Sequence, residues 1–262
     1  MITFDYFPGG KRVCVTFSYD DGPSEDIRLT KLFNKYNLKG TFNINDSFFK
    51  YNDVAALKTR YAGHEVACHG RYHIQLNNAT GTTILNEIFE QRKMLEGYLG
   101  EPVCGMAYAY GTYDQNAIDT LKKCGIVYSR TTSNGNMAFP EEYLAWAPTC
   151  HHNQALDKAK DLFKRMETGS FAGPKILYIW GHSFELRTED DWARMEELCD
   201  FVSNDERIWY ATNIEIYNYH KALKNLVISG DEKIIHNPSA IDVWVGYHRK
   251  PVKIPAGQTV RI

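Results

Sequence analysis

The sequence predicts an α/β fold whose strands form a mostly parallel sheet, either open or closed into a barrel. Short apolar runs alternate with amphipathic helical stretches along most of the 262 residues, as expected of repeated strand–helix units. Polar side chains directly follow several predicted strands, at Asp20-Asp21, His69, Tyr110 and His182. Because the carboxyl ends of parallel strands lie at one rim, where α/β proteins build their sites, we expect these side chains to meet.

In the first half of the chain, the elements are predicted from apolar runs and helix-capping signals. Strands are predicted at residues 12–17, 41–44, 65–68, 103–108 and 126–129. Ser24 is expected to cap a helix that runs to about residue 36, and Thr82 or Thr83 a helix that runs to about residue 98. Asp114 is expected to cap a helix through residue 124, since Gly125 stands just past its end.

The second half continues the alternation and then changes character. Strands are predicted at residues 175–180 and 208–210, and capping boxes begin two helices, Thr188 with Asp191 and Thr212 with Glu215. Later, short strands separated by turns are expected at residues 241–247, 251–254 and 259–262. We therefore predict a main domain over residues 1–226 and a small β appendage over residues 227–262, packed on it.

Composition excludes several classes of protein. The formal net charge of −2, with 44% hydrophobic and 24% charged residues, is that of an ordinary globular protein and predicts neither a nucleic-acid partner nor a membrane surface. The chain shows no signal-peptide pattern and no apolar stretch of membrane-spanning length, so we expect a cytoplasmic protein. The six cysteines are widely spaced, which predicts free thiols.

Two adjacent carboxylates, Asp20 and Asp21, precede Gly22 and Pro23. Residues of these types are common in turns, so the pair alone is compatible with a structural role. In an extended segment, however, neighbouring side chains point to opposite sides, so one could bind a metal ion while the other acts as a base. The pair is therefore a candidate for metal-dependent chemistry.

His69 and His73 are four residues apart, a spacing that on a helical turn places both on one face, close enough to share a metal ion. Gly70 stands where the HExxH proteases have Glu, which argues against their mechanism. One Asp and two His supply three ligands and leave positions for water and substrate, as in a catalytic site for Zn²⁺ or a similar divalent ion. Two unrelated surface histidines are the alternative.

His182 follows the strongly apolar run at residues 175–180. By itself, a histidine in this position is more often structural than catalytic. Beside a metal site and a second carboxylate, it would complete an acid–base pair.

Taken together, these segments form a pattern that resembles a known family. The order FSYDDGP (17–23), HGRYH (69–73), AYAYGTYD (107–114) and WGHSF (180–184) is similar to that of the polysaccharide deacetylases with a NodB homology domain, carbohydrate esterase family 4. The resemblance covers about residues 13–217. It implies a distorted (β/α) barrel and a divalent metal, with Zn²⁺ expected first and Co²⁺, Ni²⁺ or Mn²⁺ as alternatives.

The resemblance also implies roles for individual residues. Asp20 would be the catalytic base, and His182 the general acid. Asp21, His69 and His73 would be the metal ligands, and the backbone N–H of Tyr110 would donate to the oxyanion. Trp146 is aligned with an aromatic residue of the family's acetyl pocket. His151 and His152 follow shortly after and are expected near the cleft, without an assigned role.

The chain departs from the family pattern at several positions, which places it in a divergent branch. Ser18 and Tyr19 precede the acidic pair where many members have Phe directly before it, and Tyr108 and Ala109 stand in place of prolines. Gly70 replaces a Ser or Thr, and Ala107 stands where the family has the Arg that orients the catalytic base. We expect another arginine to supply that guanidinium to Asp20. Arg130, at the end of a predicted strand, is favoured over Arg71.

The implied activity is metal-dependent removal of acetyl groups from N-acetylated, or O-acetylated, sugars or polysaccharides. For an N-linked group the bond broken is a carbon–nitrogen amide and not a peptide bond, and the partner is an acetylated sugar or oligosaccharide. Two alternatives stay open. One is a metal-dependent amidase for a small non-sugar substrate, which the lack of a signal peptide favours. The other is a carbohydrate-binding pseudoenzyme, which the missing arginine favours.

Overall fold

The computed structural model describes residues 1–169 and 172–262 of the chain. The strands are β1 (Ile2–Thr3), β2 (Val13–Asp20), β3 (Gly40–Ile44), β4 (Glu65–Cys68), β5 (Gly105–Ala107), β6 (Tyr128–Arg130), β7 (Cys150–His151), β8 (Lys175–Gly181), β9 (Ile208–Tyr210), β10 (Val227–Ile228), β11 (Ile234–His236), β12 (Val243–Tyr247), β13 (Lys250–Ile254) and β14 (Thr259–Arg261). The α-helices are α1 (Asp26–Lys35), α2 (Phe48–Tyr51), α3 (Val54–Arg60), α4 (Gly81–Ile84), α5 (Glu90–Leu99), α6 (Gln115–Lys123), α7 (Ala155–Glu167), α8 (Glu189–Val202) and α9 (Asn213–Lys224).

Strands β2 to β9 form one parallel sheet. Its order is β6-β5-β4-β3-β2-β8-β7, and β9 pairs with the beginning of β2. All eight residues of β2 are buried, and this strand pairs with both β3 and β8. Apolar and polar residues alternate from Val15 to Asp20, but a central strand covered on both faces has no solvent side, so Thr16, Ser18 and Asp20 are buried as well.

The segment of residues 146–151 closes the sheet into a barrel. Trp146 forms a parallel bridge to Arg130 at the end of β6, and Cys150 pairs with Ile179 of β8. Both edges of the sheet are therefore joined through this one segment, which makes the closure irregular. The distorted (β/α) barrel expected from the sequence is confirmed.

Local capping signals predicted several helices correctly. Thr188 and Thr212 form capping boxes at the starts of α8 and α9, with Asp191 and Glu215 as partners. The side chain of Asp114 accepts the Ala117 N–H at the start of α6. These signals lie within a few residues of each other, so they need no tertiary information.

Two predicted caps were wrong. Ser24 makes no capping hydrogen bond, and its hydroxyl donates instead to the side chain of Glu25, which directly precedes α1. Thr80, and not Thr82 or Thr83, caps α4, because the helix begins earlier and the Thr83 N–H reaches back to the Thr80 hydroxyl.

The strands after residue 226 form two small antiparallel sheets, ordered β1-β12-β13 and β10-β11-β14, and the first of these also includes β1 from the start of the chain. Strands β12 to β14 were predicted approximately, whereas β10 and β11 were not. Val243 and Val245 of β12 are fully buried in a cluster with Tyr178 of the barrel and Tyr219 of α9. The domain boundary at residue 226 stays a prediction.

Among the described residues, no helix combines the length and the apolar character that crossing a bilayer requires.

Candidate active site

Asp20 and Asp21 lie where β2 ends at the rim of the barrel. Asp20 is buried, and the chain turns at Asp21, whose φ is 75°. The sequence predicted side chains on opposite sides, as in an extended segment. This was wrong, because the left-handed turn brings both carboxylates to His69. Its Nε2 is 3.8 Å from Oδ2 of Asp20 and 3.7 Å from Oδ1 of Asp21.

His69 and His73 are neighbours, but not on a helical turn as the spacing predicted. They lie in an irregular loop after β4, in which Gly70 has φ 81° and His73 has φ 55°. The two ring centroids are 4.8 Å apart, and Nε2 of His73 is 3.6 Å from Oδ1 of Asp21. Positive φ angles, and not helical periodicity, therefore bring this pair together.

Two buried side chains hold the loop that carries His69 and His73, which we call the histidine loop. They are Glu87 and Gln91, from the continuous helical segment of residues 81–99 that includes α4 and α5. Gln91 accepts hydrogen bonds from the backbone N–H groups of His69 and Gly70, at 3.1 and 2.8 Å, and donates to the Gly70 carbonyl. Glu87 accepts from the Tyr72 N–H at 2.9 Å. A Cβ at Gly70 would lie only 2.6 Å from the Glu87 carboxylate, so this position requires glycine for space as well as for φ.

Asp21, His69 and His73 form a candidate metal-binding group whose ligand atoms all lie within 4.8 Å of one another. Nδ1 of His69 donates to the Ala107 carbonyl at 2.9 Å, which leaves the Nε2 lone pair free to face Asp21. Asn45 donates to Oδ1 of Asp21 at 2.6 Å and fixes that carboxylate. Two imidazoles and one carboxylate, each held by an outer hydrogen bond or a neighbouring ring, fit a divalent transition metal.

Asp20 is paired with Arg130, which reaches it from β6 across the barrel. The guanidinium is completely buried and contacts Oδ2 of Asp20 through its Nη2. Nε also donates to Ser18 at 3.2 Å, and Nη1 donates to the Thr131 carbonyl at 3.0 Å. Arg71, the other candidate, pairs with Asp46 at 3.1 Å.

The surroundings of Asp20 stabilise its charged form. Burial by itself would raise the pKa of this carboxyl group, but the nearby Arg130, His69 and His182 outweigh it and hold the pKa below the ordinary value. Asn43 also donates to Oδ1 at 2.9 Å. Asp20 is therefore an anion at neutral pH that can accept a proton when a group is brought to it.

Trp180 is an aromatic residue at the site that sequence reasoning missed. Its ring lies 4.6 Å below the Arg130 guanidinium carbon and 5.9 Å from the His182 ring. Trp146, which was expected at an acetyl pocket, is only 2% exposed and packs in the core against Tyr178. That assignment was wrong, because the barrel-closing segment turns the Trp146 ring towards the core.

His182 follows β8 at the same rim. Its Nε2 lies 3.8 Å from Oδ2 of Asp20 and 4.0 Å from Oδ2 of Asp21, and its Nδ1 lies 3.3 Å from Oε1 of Glu185. Burial by itself would lower the pKa of this imidazole, but the carboxylates of Glu185, Asp20 and Asp21 outweigh burial and raise it. His182 therefore holds a proton more tightly than an ordinary histidine does.

Tyr110 lies on the other side of the site, after β5. Its φ is 58°, and its ring packs edge-on against His73 with centroids 4.7 Å apart. Its backbone N–H donates to no acceptor within residues 1–169 and 172–262. A left-handed residue with a free N–H beside the histidine loop is suited to bind a developing negative charge.

Glu185 lies behind His182 and is a second site residue that the sequence analysis missed. It accepts the His182 backbone N–H at 3.2 Å and contacts Nε2 of His151 at 2.9 Å and of His152 at 3.4 Å. Its spacing of three residues from His182 was the only available signal. His151 and His152 thus face the carboxylate behind the site.

Open space borders the candidate site. A cavity of about 510 Å³ is lined by Asp21, His73, Asp46, Arg71 and Tyr72, with the Tyr72 ring largely exposed. Polar groups and an exposed aromatic face at such a cavity suit a polar ligand with an apolar ring face.

One protein family matches part of the chain. Residues 8–129 match the family Polysaccharide deacetylase, a range that includes Asp20, Asp21, His69, His73 and Tyr110 but ends before His182. No curated protein sequence matches the chain.

Solved structures show the same fold at low sequence identity. A protein of Pseudomonas aeruginosa PAO1 assigned to the polysaccharide deacetylases is 17% identical, with a TM-score of 0.66 over 82% of this chain and 93% of the other. A similarly assigned protein of Mycobacterium smegmatis is 18% identical, with a TM-score of 0.63 over 83% and 93%. A carbohydrate esterase family 4 pseudoenzyme of Bacillus anthracis is 15% identical, with a TM-score of 0.52 over 81% and 67%.

Proposed function

Because the chain carries a polysaccharide deacetylase domain on a NodB-type barrel, we propose that it is a metal-dependent hydrolase that removes acetyl groups from N-acetylated sugars. One observation carries the proposal. A paired carboxylate, a group of three metal-ligand side chains and a histidine with a raised pKa lie together at one rim, linked through the two aspartates by contacts of 3.6–4.0 Å. A scaffold that only bound sugar would have no need of this combination.

The metal ligands in this proposal are Asp21, His69 and His73. A divalent ion bound there would supply positive charge that activates water and polarises the acetyl carbonyl. Three protein ligands leave coordination positions for substrate, as catalytic sites require. Zn²⁺ is the first expectation from the ligand types, and Co²⁺, Ni²⁺ or Mn²⁺ would also suit them.

Asp20 serves as the general base. Arg130 and Asn43 hold its carboxylate in place, so it can take a proton from the attacking water without a change of position. Arg130 thereby supplies the guanidinium that is missing at Ala107. It is a positioning residue, because it acts on the reaction through Asp20.

His182 and Tyr110 act on the other atoms of the amide. His182 donates its proton to the leaving amine, a role that its raised pKa favours. The free backbone N–H of Tyr110 donates to the carbonyl oxygen as negative charge develops there, and one donor of this kind is typically worth about 3 kcal/mol. The products are acetate and the free amino sugar.

The test is acetate release from N-acetylglucosamine oligomers and from acetylated xylan, with added Zn²⁺ or Co²⁺ and after chelation. We expect release that chelation abolishes, and at least a hundred-fold loss in Asp20→Asn and in His182→Ala. Asp119→Asn changes an exposed carboxylate of α6 and is the matched control. Full activity in both Asp20→Asn and His182→Ala would contradict the proposed roles.

The same experiment separates the alternatives. Release from acetylated xylan only would indicate an O-deacetylase. No release from either sugar, with turnover of small non-sugar acetamides, would indicate the amidase. Sugar binding without any turnover would indicate a pseudoenzyme, and Arg130 beside Asp20 removes the main sequence argument for that reading.

A further inference from the structure

A second group of metal-ligand side chains lies behind the candidate active site. His151 ends the barrel-closing segment, His152 directly follows it, and Glu185 lies on the short turn after His182. One ligand atom from each of the three residues lies within 4.8 Å of the other two. None of the three is a ligand of the metal proposed above.

We propose that His151, His152 and Glu185 form a second site for a divalent transition-metal ion. Two imidazoles and one carboxylate are a ligand set found in zinc sites that keep an open position. Donor atoms that share one tetrahedral ion at ordinary zinc distances are about 3.3 Å apart. Oε2 of Glu185 lies 2.9 Å from Nε2 of His151 and 3.4 Å from Nε2 of His152, so only small shifts would be needed.

The His152 ring is held in the orientation that a ligand needs. Its Nδ1 lies 3.2 Å from the Tyr19 hydroxyl, and that hydroxyl donates to the sulfur of Met195 at 3.8 Å. The hydroxyl oxygen can therefore accept a proton from Nδ1, which leaves the Nε2 lone pair facing Glu185. A Cβ at Gly181 would collide with Nδ1, so β8 has glycine where it passes this ring.

His151 is less constrained. Its Nδ1 accepts the Asn153 N–H at 3.5 Å and its Nε2 donates to Glu185 at 2.9 Å, so a bound ion would take the place of the proton on Nε2. Its side chain is 24% exposed and can turn slightly to complete the group.

An ion can reach this group from solvent. A cavity of about 390 Å³ is lined by His152 and Glu185, and also by Asp157, Asp191 and Arg194. Arg194 offsets one of the two aspartates, and the carboxylates that remain leave this entrance with net negative charge, which favours a cation. Entry here is separate from the cavity beside Asp21 and His73.

The position of the second site would connect it to catalysis. Glu185 also contacts Nδ1 and the backbone N–H of His182. An ion bound by Glu185 would share that carboxylate with the proposed general acid. Loading of the second site would therefore change how His182 is held, and metal in excess of the first equivalent is expected to alter turnover.

The test is metal stoichiometry, measured by equilibrium dialysis of the chelator-treated full chain against Zn²⁺ and against Co²⁺, followed by elemental analysis. We expect two equivalents in the wild type, one in His151→Asn, one in His73→Asn and none in the double variant. His248→Asn changes an exposed histidine and should keep two. Circular dichroism shows whether each variant is folded, and Glu185→Gln replaces His151→Asn if that variant is not.

The outcomes distinguish this inference from the proposed function. Equal stoichiometry in the wild type and in both His151→Asn and Glu185→Gln overturns the second site, whatever the acetate assay shows. Loss of one equivalent in these variants but none in His73→Asn supports the second site and contradicts the proposed catalytic one.

Discussion

The buried pair of Arg130 and Asp20 gives the sharpest prediction about stability. We consider Arg130→Met, which keeps much of the apolar volume of the side chain but removes its charge and donors. Arg130 is completely buried and contacts Asp20, Ser18 and the Thr131 carbonyl. The substitution would leave the Asp20 carboxylate, which is only 3% exposed, without its cation.

The magnitude follows from this burial. Removing one partner of a buried ion pair costs about 3–5 kcal/mol, because the other charge stays desolvated. For a domain of this size, 1 kcal/mol shifts the melting temperature by about 2–4 °C, so Arg130→Met should lower it by roughly 10 °C. In an Asp20→Asn background, Arg130→Met leaves no unpaired buried charge. There it should lower the free energy of unfolding by at least about 2 kcal/mol less than in the wild type.

The assay is a double-mutant cycle, with free energies of unfolding measured in urea for the wild type, both single variants and the double variant. Arg28→Met is the control, since Arg28 pairs with Glu189 on the surface, with half of its side chain exposed, so its loss should change the free energy of unfolding far less than the loss of Arg130. A coupling energy below about 0.5 kcal/mol between Arg130 and Asp20 would refute the reasoning.

Three further predictions concern the supporting structure. Gly70→Ala should lower the free energy of unfolding by about 1–3 kcal/mol more than Gly63→Ala does. Both glycines have positive φ, but only at Gly70 would the Cβ lie 2.6 Å from a carboxylate oxygen. Urea unfolding of both variants measures the difference. Gln91→Met should cost roughly 3 kcal/mol, because Gln91 is fully buried and hydrogen-bonded to several backbone groups, whereas exposed Gln115→Met should change the melting temperature little. Burial raises the pKa of Asp26 from 3.8 to about 7, so its contribution to stability is present at low pH and is lost as pH rises towards 7. The free energy of unfolding should fall by about 3 kcal/mol between pH 5 and 8 from this group alone, and Asp26→Asn should remove that part of the slope.

Each of these has a contrary result. Equal costs at Gly70 and Gly63 would show that the neighbouring carboxylate moves away freely. A cost at Gln91 no larger than at Gln115 would show that the histidine loop does not depend on it. An unchanged pH slope in Asp26→Asn would show that this carboxyl group is ionised in the folded protein.

The sequence predicted those features that depend on local patterns. The capping boxes at Thr188 and Thr212 need only residues three positions apart. The alternation of apolar runs with amphipathic stretches was sufficient for the barrel class. The position of the rim segments could also be predicted, because a segment that directly follows a parallel strand lies at the carboxyl end of that strand.

Features that depend on contacts distant in sequence were predicted poorly. Trp146 and Trp180 are equally aromatic, and only the closure of the barrel decides that the second one lies at the site. The loop conformation of His69 and His73 depends on φ angles that Glu87 and Gln91 impose from another helix. A spacing of four residues could not reveal this, because it is compatible with a helix and with a loop.

The distance in sequence between Arg130 and Asp20, 110 residues, has a consequence for the order of folding. If strands β2, β3 and β8 paired before β6 docked, Asp20 would be an anion entering a buried layer without its cation. Such an intermediate is stable only while Asp20 is hydrated or protonated. The last water should therefore leave the barrel interior only when β6 docks. The ion pair would then make closure of the barrel cooperative, in addition to positioning the base.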